Sequence, residues 1–301
     1  MTKKPKIMIT GANGFTGVHA CHYFKKAGYD VIAVFRTSPA RITDERIQME
    51  LCDLTDKHQV NRLISRTKPD QVLHLAGQNN VLESWNDPIV SLEANGMSTA
   101  YLVDAIRKEN YHCKIIVVGS AFQVDLSMTS FLLHPYSLTK TIQTLIAQAW
   151  ESLYGMDIVI AKPSNLIGPG ESKGVCSILA KKVAELEVYD SEKVLTVNNL
   201  LAHRDFLDVR DAVSAYEKIF QIGKSGAIYD ISSGKSRSLK EVTDTLQNLS
   251  KIEMRVHAIN NTQEKILVTT NKELLDAGWK PLIPFEKSLE DILNYQRQNL
   301  L

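Results

Sequence analysis

The sequence predicts an α/β fold: a doubly wound parallel sheet covered by helices, with a smaller C-terminal subdomain. Three observations predict it. Apolar runs of four to six residues alternate with amphipathic stretches through the first two-thirds of the 301 residues. That is the pattern of buried parallel strands covered on both faces. The first apolar stretch, "KIMI", runs straight into a glycine-rich turn, "TGANGFTG", from Thr10 to Gly17. From about Gly168 the alternation weakens into shorter elements, with Gly and Pro clusters at "GPGESKG" and "KPLIPF".

Taken in order, "KIMIT" reads as a short buried strand, and "GVHACHYFKKAGY" as a helix ending near Gly28. "DVIAVFR" and "QMELCDL" are strands. "HQVNRLISRTK" is helical, and "PDQVLHLAG" a strand in which His74 is a core or strand-end histidine. "SLEANGMSTAYLVDAIRKEN" reads as one long helix and "CKIIVVGS" as a strand. "PYSLTKTIQTLIAQAWESLYG" is a helix and "MDIVIAKPSN" the last strand of the series. The chain is long enough, at 44% hydrophobic residues, for one large core and a subdomain.

A net charge of +1 gives no electrostatic case for nucleic acid or an anionic membrane. No apolar run approaches the ~18 residues of a membrane span. The basic start "MTKKPKIMIT" has too short an apolar run for a signal peptide. Cys21, Cys52, Cys113 and Cys176 form no C-x-x-C pair. These features lead us to expect a soluble, cytoplasmic protein. His19 and His22 flank Cys21 at helical spacing, but a third ligand is missing, so no metal is expected.

Gly11, Gly14 and Gly17 fit G-x-x-G-x-x-G between a strand and a helix. The first permits the turn, the second lets a phosphate approach the backbone, and the third lets the helix pack closely. The free N–H groups of the helix start then face a pyrophosphate. The expected dinucleotide cradle is Gly11, Asn13, Gly14, Phe15, Thr16 and Gly17, in a Rossmann-type domain. An acidic residue about 20 positions on, at the end of the second strand, would hold an adenosine ribose. That place falls on Phe35 and Arg36. Arg36, assisted by Arg41, suits a 2′-phosphate, so NADP(H) is favoured over NAD(H). Asp53 and Leu54 would close over the adenine.

Tyr136 and Lys140, in "YSLTK", stand at i and i+4 on one helix face. A nearby cation stabilises a phenolate and makes tyrosine a better proton shuttle. Ser120 ends a strand, where sites lie in open parallel sheets. Asn95 falls in the long helix before that strand.

With these motifs the chain resembles the extended short-chain dehydrogenase/reductase family, that of the NAD-dependent epimerases and dehydratases. "TGANGFTG", "CDL", "HLAG", "EANGMSTAYLVDA", "YSLTK", "AKPSNLIGPG", "HRDFLDVRDAV" and "GWKPLIPFEKSL" match its landmarks in order. "SNLIGPGES" and "LLDAGWKPLIPFEKSLEDIL" look most like the GDP-6-deoxy-4-keto-mannose reductases, which make GDP-rhamnose. The resemblance implies that Tyr136 gives a proton to the sugar oxygen and that Ser120 hydrogen-bonds it. It implies that Lys140 holds the nicotinamide ribose and depresses the Tyr136 pKa. Leu75, Ala76 and Gly77 would lie beside the adenosine phosphates, Asn95 and Pro163 near the cofactor. Gln78 and Ser84 would contact the sugar, as would Trp85. Asn165 and Arg204 would bind the diphosphate. Residues 1–167 would form the NADP-binding Rossmann domain, and 168–301 mainly the substrate-binding subdomain, with some segments returning to the Rossmann core.

The run Ser120-Ala121-Phe122 replaces the Thr-Asp-Glu of the sugar 4,6-dehydratases, so dehydration is not expected. The segment from Ser120 to Tyr136 is shorter than the family's usual loop. The expected activity is NADPH-dependent reduction of a nucleotide-diphospho-4-keto-6-deoxy-hexose, with a GDP sugar favoured. A 4-epimerase with tightly bound NAD is the alternative, and a non-catalytic NADP-binding protein the second. In resembling proteins the helices matching Asn95–Asn110 and Tyr136–Tyr154 pair into a four-helix bundle, which implies a homodimer.

Overall fold

Strands without a polar face must be covered on both sides, and five stretches of this chain have that composition. They are β1 (Lys6–Thr10), β2 (Asp30–Phe35), β4 (Gln71–His74), β5 (Lys114–Val118) and β6 (Ile158–Pro163), with β3 (Gln48–Leu51) a more exposed neighbour of β2. The computed structural model describes residues 4–37, 42–124, 132–190, 192–263 and 270–300.

Helices separate the strands. They are α1 (Phe15–Lys26), α2 (Lys57–Thr67), α3 (Val81–Asn86), α4 (Pro88–Leu92), α5 (Ser98–Glu109) and α6 (Pro135–Tyr154). Each boundary has a local cause. Asp56 accepts from the backbone N–H groups of His58 and Gln59 to start α2. His134 and Ser137 cap each other at the start of α6, with Pro135 at its first position. Gly155, at φ +64°, ends it. The sheet order continues through β10 (Ile228–Ile231) as β10-β6-β5-β4-β1-β2-β3, and the pairings among β1 to β6 are parallel. This is a Rossmann-like α/β sheet, as the alternation predicts.

The single long helix expected over Ser91–Asn110 is instead three pieces. Between α4 and α5 the turns widen to π geometry over Glu93–Met97. The extra residue per turn accommodates Asn95, whose side chain is wholly buried and hydrogen-bonded away from its own helix.

The chain divides into two compact units: Met1–Pro163 with Val213–Tyr229, and Ser164–Ala212 with Asp230–Leu301. The first has its core between the sheet and α2, α5 and α6, around Met8, Ile64, Leu102, Ile115 and Ile160. The second contains β7 (Asn165–Ile167), α7 (Val175–Val188), β8 (Val194–Asn199) and β9 (His203–Asp208). The helix α8 (Val209–Ile222) starts in it. It also holds β11 (Ser236–Ser238), α9 (Leu239–Leu249), β12 (Arg255–Asn260), α10 (Lys272–Asp276) and α11 (Phe285–Asn299). Its own core joins α7, α9 and α11 through Leu179, Val183, Val242, Leu246, Leu289 and Ile292.

Candidate active site

The strand order reverses between β1 and β4, and ligands in open parallel sheets bind at such a reversal. Thr10 ends β1 in register with His74 at the end of β4. Gly11 follows at φ +67°, and a Cβ there would lie 2.9 Å from Ala76 Cα and N, so only glycine fits. A Cβ on Gly17 would lie 2.2 Å from the Gly11 carbonyl oxygen, so α1 can sit on its own turn only as a glycine. Gly14 caps the start of α1 and, as a glycine, brings no capping side chain to its first turn. An anionic pyrophosphate fits that cradle in charge and in space. Asn13 lies in the turn itself.

Around it, Arg36 is exposed immediately after β2, while Arg41 lies outside the described residues. Asp53 Oδ1 accepts from the Thr55 backbone (3.0 Å) and hydroxyl (2.8 Å), a turn-forming role, and Leu54 is buried beside it. Leu75, Ala76 and Gly77 leave β4 next to the glycine turn, with the Ala76 N–H donating to Thr10 Oγ1 at 3.1 Å. A Cβ on Gly77 would lie 2.4 Å from Asn95 Oδ1.

Asn95 accepts from the Gln78 N–H (2.9 Å) and donates to the Gln78 carbonyl (3.0 Å) and to Thr139 Oγ1 (2.8 Å). Its side chain therefore ties the segment after β4 to α6. Two expected sugar contacts have other partners here. The Gln78 side chain closes its own loop, donating to the Asn80 carbonyl at 2.7 Å and accepting from the Asn80 N–H at 3.1 Å. Ser84 is wholly buried, donates to the Val81 carbonyl (2.6 Å) and accepts from the Tyr136 N–H (3.1 Å). Burial keeps Ser84 from a sugar; it anchors the tyrosine backbone instead. Trp85, next to it, is 60% exposed.

Tyr136 and Lys140 stand one turn apart on α6, and Ser120 lies just beyond the end of β5. All three are buried, and the Ser120 side chain is near enough to that of Tyr136 to favour its phenolate, while Ser120 Oγ accepts from the Phe122 N–H at 3.1 Å. Burial raises the Tyr136 pKa above the ordinary phenol value, and the Ser120 side chain opposes this. Burial brings Lys140 down to about 7. The Lys140 ammonium donates to the Val118 carbonyl at 2.7 Å and to Gln143 Oε1. The expected depression of the Tyr136 pKa by Lys140 is not seen in this arrangement: burial raises it, and Ser120 supplies the opposing effect.

Four neighbours carried no sequence signal. Gln123 accepts from the Ser120 N–H (3.1 Å) and from Thr144 Oγ1 (3.1 Å), which shapes the turn after β5. Phe122 and His134 put their rings 6.3 and 5.8 Å from that of Tyr136 and wall one side of it. Gln143 is wholly buried. Pro163 ends β6, the strand after α6. In the second unit, Asn165 on β7 and Arg204 on β9 lie on paired strands, with Asn165 opposite Phe206. Asn165 Nδ2 donates to the Asp205 carbonyl at 3.2 Å, and Arg204 Nη1 to the His203 carbonyl at 2.6 Å. Among the described residues, no three His, Cys, Asp or Glu side chains could hold a metal ion, and no helix is long and apolar enough to cross a membrane.

A glycine cradle at the sheet reversal, next to a buried tyrosine and lysine on one helix, defines a dinucleotide-dependent enzyme. More particularly, residues 7–232 match the NAD dependent epimerase/dehydratase family, and the chain belongs to it. It is 26% identical to a GDP-6-deoxy-D-mannose reductase of Pseudomonas aeruginosa, over 96% of each protein. It superposes on the structure of RMD from Pseudomonas aeruginosa complexed with NADPH at a TM-score of 0.83 and 26% identity, covering 98% of this chain and 100% of that one. A UDP-glucose 4-epimerase of Thermus thermophilus, in complex with NAD, shares the fold at a TM-score of 0.82 and 21% identity, covering 97% and 99%. NADP(H) and NAD(H) both fit.

Proposed function

We propose that this enzyme reduces the 4-keto group of a nucleotide-diphospho-4-keto-6-deoxy-hexose with NADPH, the GDP-linked sugar first among candidates. The observation that carries the chemistry is the buried Tyr136 phenol, with the Ser120 side chain beside it and Lys140 one turn along α6. NADPH, when bound, supplies a hydride to the ketone carbon. The oxygen then gains charge, and Tyr136 gives it the phenolic proton while Ser120 donates a hydrogen bond. The raised Tyr136 pKa suits this direction, because the phenol is protonated throughout the neutral range. Lys140 holds the nicotinamide ribose and offers positive charge to the phenolate left behind. The cradle Gly11, Asn13, Gly14, Phe15, Thr16 and Gly17 takes the pyrophosphate, and Arg36 the 2′-phosphate. Asn165 and Arg204 bind the substrate diphosphate. The 26% identity to a GDP-sugar reductase over nearly the whole chain supports the substrate class.

The same tyrosine and lysine also suit a 4-epimerase, and the matching family's description names epimerases. NADPH oxidation, offered GDP-, dTDP-, UDP- and CDP-linked 4-keto-6-deoxy sugars with NADH in parallel, separates the two readings. Net oxidation by one of them supports the reductase. Inversion at C4 of a 4-hydroxy nucleotide sugar, offered separately with NAD and giving no net change in the cofactor, supports the epimerase. Tyr136→Phe is expected to lower turnover by about 10²–10⁴-fold while cofactor binding persists. Retained turnover would remove Tyr136 from the mechanism.

The same reading has the enzyme work in the cytoplasm as a homodimer. Four buried free thiols suit a reducing compartment. Leu138 and Leu145 on α6 and Ile89 and Val90 on α4 are exposed apolar side chains that a second copy would cover.

A further inference from the structure

Behind Lys140, buried polar side chains connect the end of β1 to α6. Lys140 donates to Gln143 Oε1. Gln143 Nε2 donates to Thr99 Oγ1 at 2.9 Å. Thr99 Oγ1 lies 2.9 Å from His74 Nε2 and donates to the Asn95 carbonyl at 2.7 Å. His74 Nδ1 lies 2.8 Å from Thr10 Oγ1, which accepts from the Ala76 N–H at 3.1 Å. His74, Thr99, Gln143 and Thr10 are each at 0% exposure, so every polar atom must be satisfied inside.

That requirement leaves one assignment of hydrogens. An ammonium cannot accept, so the Gln143 carbonyl oxygen must face Lys140, and its amide nitrogen must face Thr99. The single Thr99 hydroxyl hydrogen goes to the Asn95 carbonyl. Thr99 Oγ1 therefore accepts from His74, which carries its proton on Nε2. His74 Nδ1 is then an acceptor and takes the Thr10 hydroxyl hydrogen. Burial, with the Lys140 charge adding to it, holds His74 neutral, as this assignment needs. Each group has one orientation, and the chain of orientations ends by aiming an acceptor at Lys140.

We propose that Gln143, held by Thr99, His74 and Thr10, is a positioning residue that fixes the direction of the Lys140 ammonium. With the Val118 carbonyl it takes two of the three N–H bonds and leaves the third for a ligand. A carbonyl acceptor also favours the ammonium over the neutral amine in a site where burial favours the amine. The titratable side chains around Lys140 are His74 from β4 and Tyr136 from α6. This rests on the reading of Lys140 as the residue that holds the nicotinamide ribose.

The test is a titration of the Lys140 side chain by NMR in protein labelled at lysine 13Cε, with Lys140→Met supplying the assignment. Gln143→Leu removes the acceptor and is expected to lower the midpoint by about one pH unit, a tenfold change in proton affinity. Gln143→Glu replaces it with a charged acceptor and is expected to raise the midpoint by at least as much. Thr99→Val frees Gln143 to turn, and shifts the midpoint in the same direction as Gln143→Leu, by less. If Gln143→Leu does not fold, Gln143→Glu and Thr99→Val decide. An unmoved midpoint in the folded variants overturns the proposal. In turnover assays the basic limb of kcat should follow the same shifts, with the KM for NADPH changed less than threefold. Full turnover in Lys140→Met instead would overturn the catalytic reading of the lysine, and would leave the titration result standing.

Discussion

His74 shows how firmly burial sets the state of one side chain. Its pKa falls from 6.5 to about 3, through burial first and the Lys140 charge second. In the unfolded chain it takes up a proton near pH 6.5; in the folded protein it does not until about pH 3. Between those values the unfolded state binds more protons, so stability is complete above about 6.5 and is lost as the pH falls toward 3. Denaturant titrations from pH 7 to 4.5 are expected to show stability dropping by up to about 1.4 kcal/mol per pH unit from this residue. His74→Asn should flatten that slope at the cost of some stability at pH 7. A slope unchanged in the variant would assign the acid sensitivity to other groups. The sequence showed a core or strand-end histidine in "HLAG". Its partners were not legible, because Thr10 and Thr99 are 64 and 25 residues away.

The turn from β1 into α1 is where sequence and structure agree most closely. Three glycines at a spacing of three are readable, since a turn, a helix start and a close contact all involve neighbours in the chain. The structure adds a reason for the third. Gly17 lies against the Gly11 carbonyl and the Ala12 backbone, which cannot yield as a side-chain tip could. Gly17→Ala is expected to cost about 1–3 kcal/mol by overpacking and to weaken NADPH binding by displacing the start of α1. Thermal melts and cofactor titration would check both, and an undisturbed variant would mean the turn is softer than its contacts imply. The π turn at Glu93–Met97 is the opposite case. Nothing in "EANGM" breaks helical periodicity, and only the pull of Asn95 toward Gln78 and Thr139 widens it.

The division of the chain into two units sets the seven-stranded sheet's glycine turn with Ser120, Tyr136 and Lys140 in one, and Asn165 and Arg204 in the other. On the first unit, Leu138, Ile142 and Leu145 follow i, i+4, i+7 along α6, and the outer two are 42% and 44% exposed. A stripe of that kind is stable in water when a second helix covers it. Analytical ultracentrifugation is expected to give a dimer for the wild type and a monomer for Leu138→Glu with Leu145→Glu, with the circular dichroism spectrum kept. A wild-type monomer would leave this face uncovered and exclude the four-helix bundle.

The alternation of strands and helices, the glycine turn, and the one-turn spacing of Tyr136 and Lys140 on α6 could all be read from the residues in order. They are written in short-range spacing, where the period of a strand, a helix or a turn reports which face a residue takes. What those residues do to each other was settled only by packing. Ser84 anchors the Tyr136 backbone rather than facing a sugar, and Asn95 braces the segment after β4. Lys140 is turned onto Val118 and Gln143, and its charge is set against burial. Each of these depends on which polar groups the packing of β1, β4, α5 and α6 buries together. A hydrogen bond between positions 17 to 52 residues apart exists only once the packing has removed the water that would otherwise satisfy them.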